Sequence, residues 1–142
     1  MSDYLEMIEQ AVSAWEGITS NPHRFGGKEF KVGKQEIGHL HRGGLVDIPF
    51  TRKVKDELLR EGKASNHHVL PESGWISFWV RSEADAQHAI WLFRLSYLHK
   101  LAARRGRGSI QAIDASDAEL QQEIGGLRLS AVLRSLLASF ED

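Results

Sequence analysis

The apolar period of this chain switches between helical and strand-like along its length, and that switching constrains its fold more than any single motif does. Leu5, Ile8, Val12, Trp15 and Ile18 recur at steps of three and four, so the spacing predicts a first helix over about 3–18. Ser20-Asn21-Pro22 should break it, because proline lacks the amide donor and biases the preceding residue away from helical angles. Short strand-like runs follow at 24–32, 34–41, 45–48, 64–70 and 75–81. Gly33, Gly43-Gly44, Pro49 and Pro71-Glu72-Ser73-Gly74 punctuate them as tight connections. The run from Trp75 to Val80 is the strongest strand candidate of the five.

Helical period interrupts this middle once and then returns. Thr51 is a candidate N-cap for a short, mostly exposed helix with Val54, Leu58 and Leu59 on one stripe and Gly62 as its left-handed stop. Ser82 and Asp85 resemble a capping box and open a long central helix carrying Ala86, Ala89, Ile90, Phe93, Leu98 and Leu101. Arg104, Arg105 and Arg107 close it near the negative end of its dipole. Ser116 should cap a segment over 117–124, and Gly125-Gly126 should separate that from a last amphipathic helix with Leu129, Val132, Leu133, Leu136, Leu137 and Phe140. A strand-rich middle with tight connections and flanking helices predicts the α+β class: an antiparallel sheet of about five strands with a C-terminal helical segment.

Composition narrows the function classes. At 142 residues, with 42% hydrophobic and 26% charged, the chain is expected to be one globular domain, 1–142. It has no cysteine, so disulfides and thiolate metal sites are excluded and any metal needs histidine and carboxylate ligands. No apolar run approaches the roughly 20 residues that span a bilayer, and the acidic, amphipathic start does not read as a secretory signal. A cytoplasmic protein without membrane contact is the expectation. A net charge of −1 offers no field for nucleic acid, and only the short arginine cluster at 104–107 speaks for it. No G-x-G-x-x-G or P-loop pattern supports nucleotide binding.

Seven histidines are the compositional excess worth pursuing. On a strand, alternation places Ile37, His39 and His41 on one face and Glu36, Gly38 and Leu40 on the other. Two imidazoles then stand side by side, suited to proton transfer or to gripping one ion. His67 and His68 should point to opposite faces of their own strand, so one of them can join the pair. Asp47 or Glu72 could add the carboxylate of a three-ligand site for zinc, iron or manganese. The candidate catalytic residues are therefore His39, His41, His67, His68 and Asp47, with Glu36 and Trp75 as candidate ligand contacts. His23, His88 and His99 are assigned no function, being expected to bond backbone carbonyls or neighbours or to face water. Trp79 and Trp91 are expected to pack against the central helix, whereas Trp75 beside the turn could line a ligand pocket. Arg42 and Arg81 are read as solvated surface groups.

Four runs carry a resemblance: HRFGGKEF over 23–30, EIGHLHRGGLVDIPF over 36–50, GKASNHHVLPESGW over 62–75 and LFRLSY over 92–97. Together they resemble the small luciferase domain of bacteria and fungi, over about 15–97. The family pattern falls on Glu36, Gly38, His39, His41, Asp47, Pro49, His67, His68, Pro71, Gly74 and Trp75. The resemblance implies kinship with fungal luciferase, which oxidises a hydroxypyrone with molecular oxygen, without implying luminescence for this compact chain. It places the luciferase-domain-like core at about 15–104 and leaves about 115–142 as an accessory or oligomerisation element.

Two readings follow. The first is a small enzyme using the histidines for acid–base or oxygen-dependent chemistry on a small, aromatic-compatible molecule, its cofactor unspecified. The second is a ligand-binding or protein-interaction module, a homodimer through the last helix, with the histidines as structural hydrogen bonders.

Overall fold

A computed structural model describes residues 3–67, 69–106 and 117–138. Helix α1 (Asp3–Ser13) leads into strand β1 (Ile18–Pro22), and a 3-10 turn at Arg24–Gly26 leads into β2 (Lys28–Val32). Then come β3 (Gln35–Leu40), β4 (Leu45–Pro49), α2 (Arg52–Arg60), β5 (Ser65–Asn66) and β6 (Trp75–Trp79). The long α3 (Glu83–Gly106), α4 (Asp117–Gly126) and α5 (Ala131–Ala138) follow. The strands form one antiparallel sheet in the order β1-β2-β3-β4-β6-β5. The α+β class with C-terminal helices is therefore the observed one, with six strands.

The sixth strand is β1, where the spacing predicts the end of the first helix. That helix stops at Ser13, and Gly17 at φ 80° turns the chain so that Ile18–Pro22 runs beside β2. An edge strand tolerates Pro22 because one side of its backbone needs no partner. Strand β2 is shorter than 24–32, since Arg24–Gly26 coil into a turn in which Phe25 takes φ 56° and stands 91% exposed. Strand β5 reduces to two residues because the His67 ring captures the next amides: Val69 N–H and Leu70 N–H both donate to its Nδ1, at 3.1 and 3.0 Å. The chain curls there instead of extending the ladder.

The caps agree with the sequence. Thr51 Oγ1 accepts from Val54 N–H at 3.2 Å, and Ser82 Oγ accepts from Asp85 N–H at 3.1 Å. Asp85 reaches back to Arg81 N–H. Helix α2 is less exposed than its stripe suggests, burying Val54, Leu58, Lys55 and Glu57. Lys55 is held by the Pro71 carbonyl at 2.6 Å, and Glu57 by Arg60. Gly125-Gly126 form the last residues of α4 rather than a break between helices. The Ser116 cap, Arg107 and Phe140 lie outside the described residues.

Phe30, Val32, Leu40, Val46, Ile48 and Ile76 are buried on the sheet face against which α3 and α1 pack. Lys100 and Ser96 on α3 both donate to the Pro49 carbonyl, fastening that helix to the end of β4. Leu133 and Leu137 of α5 are buried in the same core, where α5 packs on α2 and α3. Trp91 donates to the Leu127 carbonyl at 3.1 Å and stacks on His88, tying α3 to the turn before α5. No helix among the described residues is long and apolar enough to cross a membrane.

Candidate functional site

Strand pairing assembles the site. Glu29 faces His39 across β2 and β3, His39 faces Asp47, Asp47 faces Ser77, and Ser77 faces Ser65. Directly opposed residues point to the same side of a sheet, so one polar row crosses five strands on the face away from α3. His41, two residues beyond His39, joins that side at the turn closed by its amide on the Leu45 carbonyl.

A β-bulge corrects the simple alternation expected of β3. Phe30 pairs with Gly38 and Lys31 with Glu36, leaving Ile37 as the extra residue. The bulge changes the phase of the strand, so Glu36 lies on the side of His39 and not opposite it. Its Oε2 then meets His39 Nδ1 at 2.7 Å. Gly38 makes this shape: its φ is 151°, and a Cβ there would lie 2.6 Å from Phe93 Cε1 and 3.0 Å from Ile48 Cγ1.

At the centre is Asp47, 1% exposed. Its Oδ2 receives His41 Nε2 at 2.6 Å and His39 Nε2 at 3.2 Å, with His67 Nε2 at 3.5 Å. Its Oδ1 receives the Ser77 hydroxyl at 2.5 Å. Burial opposes the Asp47 charge, but the hydrogen bonds from His39, Ser77 and His41 outweigh it and hold the carboxyl below its usual range. Burial likewise opposes charge on His39, yet Asp47 at one nitrogen and Glu36 at the other push its pKa up to about 9. His39 is accordingly an imidazolium between two carboxylates at neutral pH.

His67 has a different proton arrangement. Two backbone amides donate to Nδ1, so that nitrogen presents its lone pair and the ring hydrogen sits on Nε2, toward Asp47. Trp75 closes one side, its ring centroid 5.4 Å from that of His39 and 5.9 Å from that of His67. The His41 side chain is 31% exposed, the most open of the three imidazoles around Asp47. Among the described residues, His39, His41 and Asp47 each offer one metal-ligand atom within 4.8 Å of the others.

The structure thus brings together Glu36, His39, His41, Asp47, His67 and Trp75. It leaves Glu72 exposed in the turn after Pro71, and His68 lies outside the described residues. His23, to which the sequence reading assigns nothing, stacks on His39 with centroids 4.2 Å apart and bonds Glu29 at 3.2 Å. Ser77 was also missed. The available signal was that the central strand interrupts an otherwise apolar and aromatic run with one hydroxyl, on the parity of Trp75 and Trp79. Trp79 itself corrects the expected packing against the central helix: it is 48% exposed and carries Arg81 against its ring. An odd-numbered position on β6 faces the polar row, whereas Ile76 and Phe78 face the core. His88 donates from Nε2 to the Lys63 carbonyl at 2.8 Å, the backbone bonding expected of it.

Residues 34–96 match the family model described as the Luciferase domain. No curated protein and no solved structure matches the chain. The matched segment contains every described member of the cluster from Glu36 to Ser77, while His23 and Glu29 precede it.

Proposed function

We propose, for a chain that carries a Luciferase domain over residues 34–96, that it is an enzyme performing acid–base or oxygen-dependent chemistry on a small molecule at the polar face of the sheet. The observation that supports this is the convergence of three imidazole Nε2 atoms and one hydroxyl on the buried Asp47 carboxylate. A structural role needs far less. One hydrogen bond satisfies a half-buried histidine, and most buried polar side chains find it on nearby backbone. Here the polar groups are gathered on one carboxylate, and ordering them in one orientation is the preorganisation that charge development in a reaction requires. Asp47 anchors the cluster, Glu36 orients His39, and His41 is its most open imidazole. Trp75 offers an aromatic face to a planar substrate beside His39 and His67.

The test is a panel of small enolisable and phenolic compounds, followed by oxygen uptake and by deuterium incorporation from solvent. A compound turned over by the intact protein should react at least about 100-fold more slowly with His41→Gln and with Asp47→Asn. His88→Gln, on the helical side of the molecule, should leave the rate unchanged. Folded His41→Gln and Asp47→Asn proteins as active as the parent would end this reading.

A further inference from the structure

We propose that His39, His41 and Asp47 form a binding site for one divalent first-row transition-metal ion, held by the two Nε2 atoms and by Oδ2 of Asp47. The inference rests on the reading that this cluster is the working site, and it names the cofactor that site would take.

The geometry of the donor atoms carries it. Ions of this class bind imidazole nitrogen and carboxylate oxygen at about 2.0–2.2 Å, which sets neighbouring donors about 3 Å apart across a right angle and about 3.5 Å apart across a tetrahedral one. Asp47 Oδ2 lies 2.6 Å from His41 Nε2 and 3.2 Å from His39 Nε2, and the three ligand atoms all lie within 4.8 Å of one another, a set that an incoming ion would draw together as it displaces the hydrogen-bonded protons. The two imidazole rings lie with centroids 4.8 Å apart, and both Nε2 atoms bond the same oxygen, Asp47 Oδ2, so these two nitrogens are already aimed at one point. Strand register makes this pre-built: His39 and Asp47 are paired across β3 and β4.

The atoms around the three donors are placed as supporting groups. Glu36 Oε2 bonds His39 Nδ1 at 2.7 Å, the carboxylate–histidine arrangement that fixes the ring and leaves Nε2 to the metal. Ser77 holds the other Asp47 oxygen, favouring one-oxygen coordination. His67 is excluded as a ligand through Nε2, although that atom is only 3.5 Å from Oδ2. With Val69 and Leu70 amides on Nδ1, its one ring hydrogen has no other nitrogen to occupy and stays on Nε2, whereas His39, an imidazolium in the metal-free protein, gives up its Nε2 proton as the ion binds and keeps the one on Nδ1 toward Glu36. Three protein ligands leave coordination positions open, and His41 lies at the exposed side of the set. Such a centre suits exchangeable ligands rather than a closed structural ion. His67 then serves as a hydrogen-bond donor beside the ion.

The test uses the full chain, stripped with a chelator and dialysed, and titrated with Co(II) by visible absorption and with Zn(II) by calorimetry. One ion per chain is expected, with a cobalt spectrum of mixed nitrogen and oxygen coordination and no competition from Mg(II), which prefers all-oxygen sites. His39→Ala and His41→Ala should abolish this saturable site, and Glu36→Gln should weaken it by about 10- to 100-fold. His67→Asn should leave a saturable site of weaker affinity, His88→Gln should keep the affinity of the parent, and circular dichroism of each variant should match the parent. His41, being partly exposed, is the substitution that perturbs folding least. No saturable uptake of either ion, or equal uptake by folded His39→Ala and His41→Ala, overturns the proposal. Turnover by stripped protein that binds no ion would also overturn it while leaving the enzymatic reading intact. Stoichiometric binding without turnover of any compound would establish the site and leave that reading unsupported.

Discussion

The two faces of the sheet are built from alternate residues of the same strands and solve opposite problems. On β4, Val46 and Ile48 enter the core beneath α3, while Asp47 between them is as buried as they are but faces away. The apolar face is satisfied by non-directional contact, for which any well-shaped hydrocarbon neighbour suffices. On the polar face every group needs a directed partner, and Asp47 has His39, His41 and Ser77. The difference shows that burial alone does not distinguish core from site. What distinguishes them is whether the buried groups are held by shape or by aimed hydrogen bonds.

Adjacent substitutions on β4 sharpen this contrast most. Ile48→Ala should destabilise the protein by about 4 kcal/mol through the cavity it opens, leaving metal binding by the remaining folded fraction intact. Asp47→Asn should lower stability by about 3 kcal/mol, because it leaves imidazolium His39 without its buried counter-charge. Chemical denaturation reads both. If Asp47→Asn proved neutral while Ile48→Ala did not, the polar face would be a decorated surface and not a buried network.

The two faces should also differ in their response to pH. His39 has a pKa of about 9 against an ordinary 6.5, so in the metal-free protein its charged form adds stability fully below pH 6.5. That contribution, on the order of 3 kcal/mol, fades as pH rises toward 9. Asp47 is shifted the other way, so its contribution is present above its ordinary 3.8 and is lost as pH falls below that value. Melting temperature of the metal-free protein should therefore decline on the alkaline side between about pH 6.5 and 9. Glu36→Gln should flatten that decline, and Ile48→Ala should shift the whole curve down without changing its shape. An alkaline limb that is flat in the parent would contradict the double carboxylate clamp on His39.

Gly38→Ala joins the faces, since this residue bends β3 for the site while lying against Phe93 and Ile48 in the core. A loss of about 2 kcal/mol is expected from the backbone angle and the crowding together. Weaker metal affinity should accompany it, because Glu36 would lose its place beside His39. The smallest effect belongs to Trp79→Ser on the open edge of the polar face, expected within about 0.5 kcal/mol by the same denaturation assay. A larger loss would mean that something covers Trp79.

Much of the fold could be read from the residues because local chemistry dictates it. The three-four spacing of Leu5, Ile8 and Val12, the Thr51 and Ser82 caps, and the alternation from Trp75 to Trp79 all act within one element. Ile18–Pro22 is a strand only through its pairing with β2; alone, Ser-Asn-Pro is a breaker. His23 is illegible for a similar reason, since it joins the cluster through a turn whose course depends on Gly27 and β2. Trp79 followed its parity correctly, but parity does not say which face a helix covers.

The sequence by itself determined the alternation of strands and helices, the residue types available for chemistry, and the His39–His41 spacing that puts two imidazoles on one side of a strand. Tertiary structure alone decided that Glu36 shares that side, that Asp47 and Ser77 meet His39 in one row, and that His67 donates toward Asp47 while its other nitrogen accepts two amides. The physical reason is register. Periodicity is encoded residue by residue along the chain, whereas a bulge at Ile37, the pairing of β3, β4 and β6, and the curl after His67 depend on which strands lie side by side and on the core that holds them there.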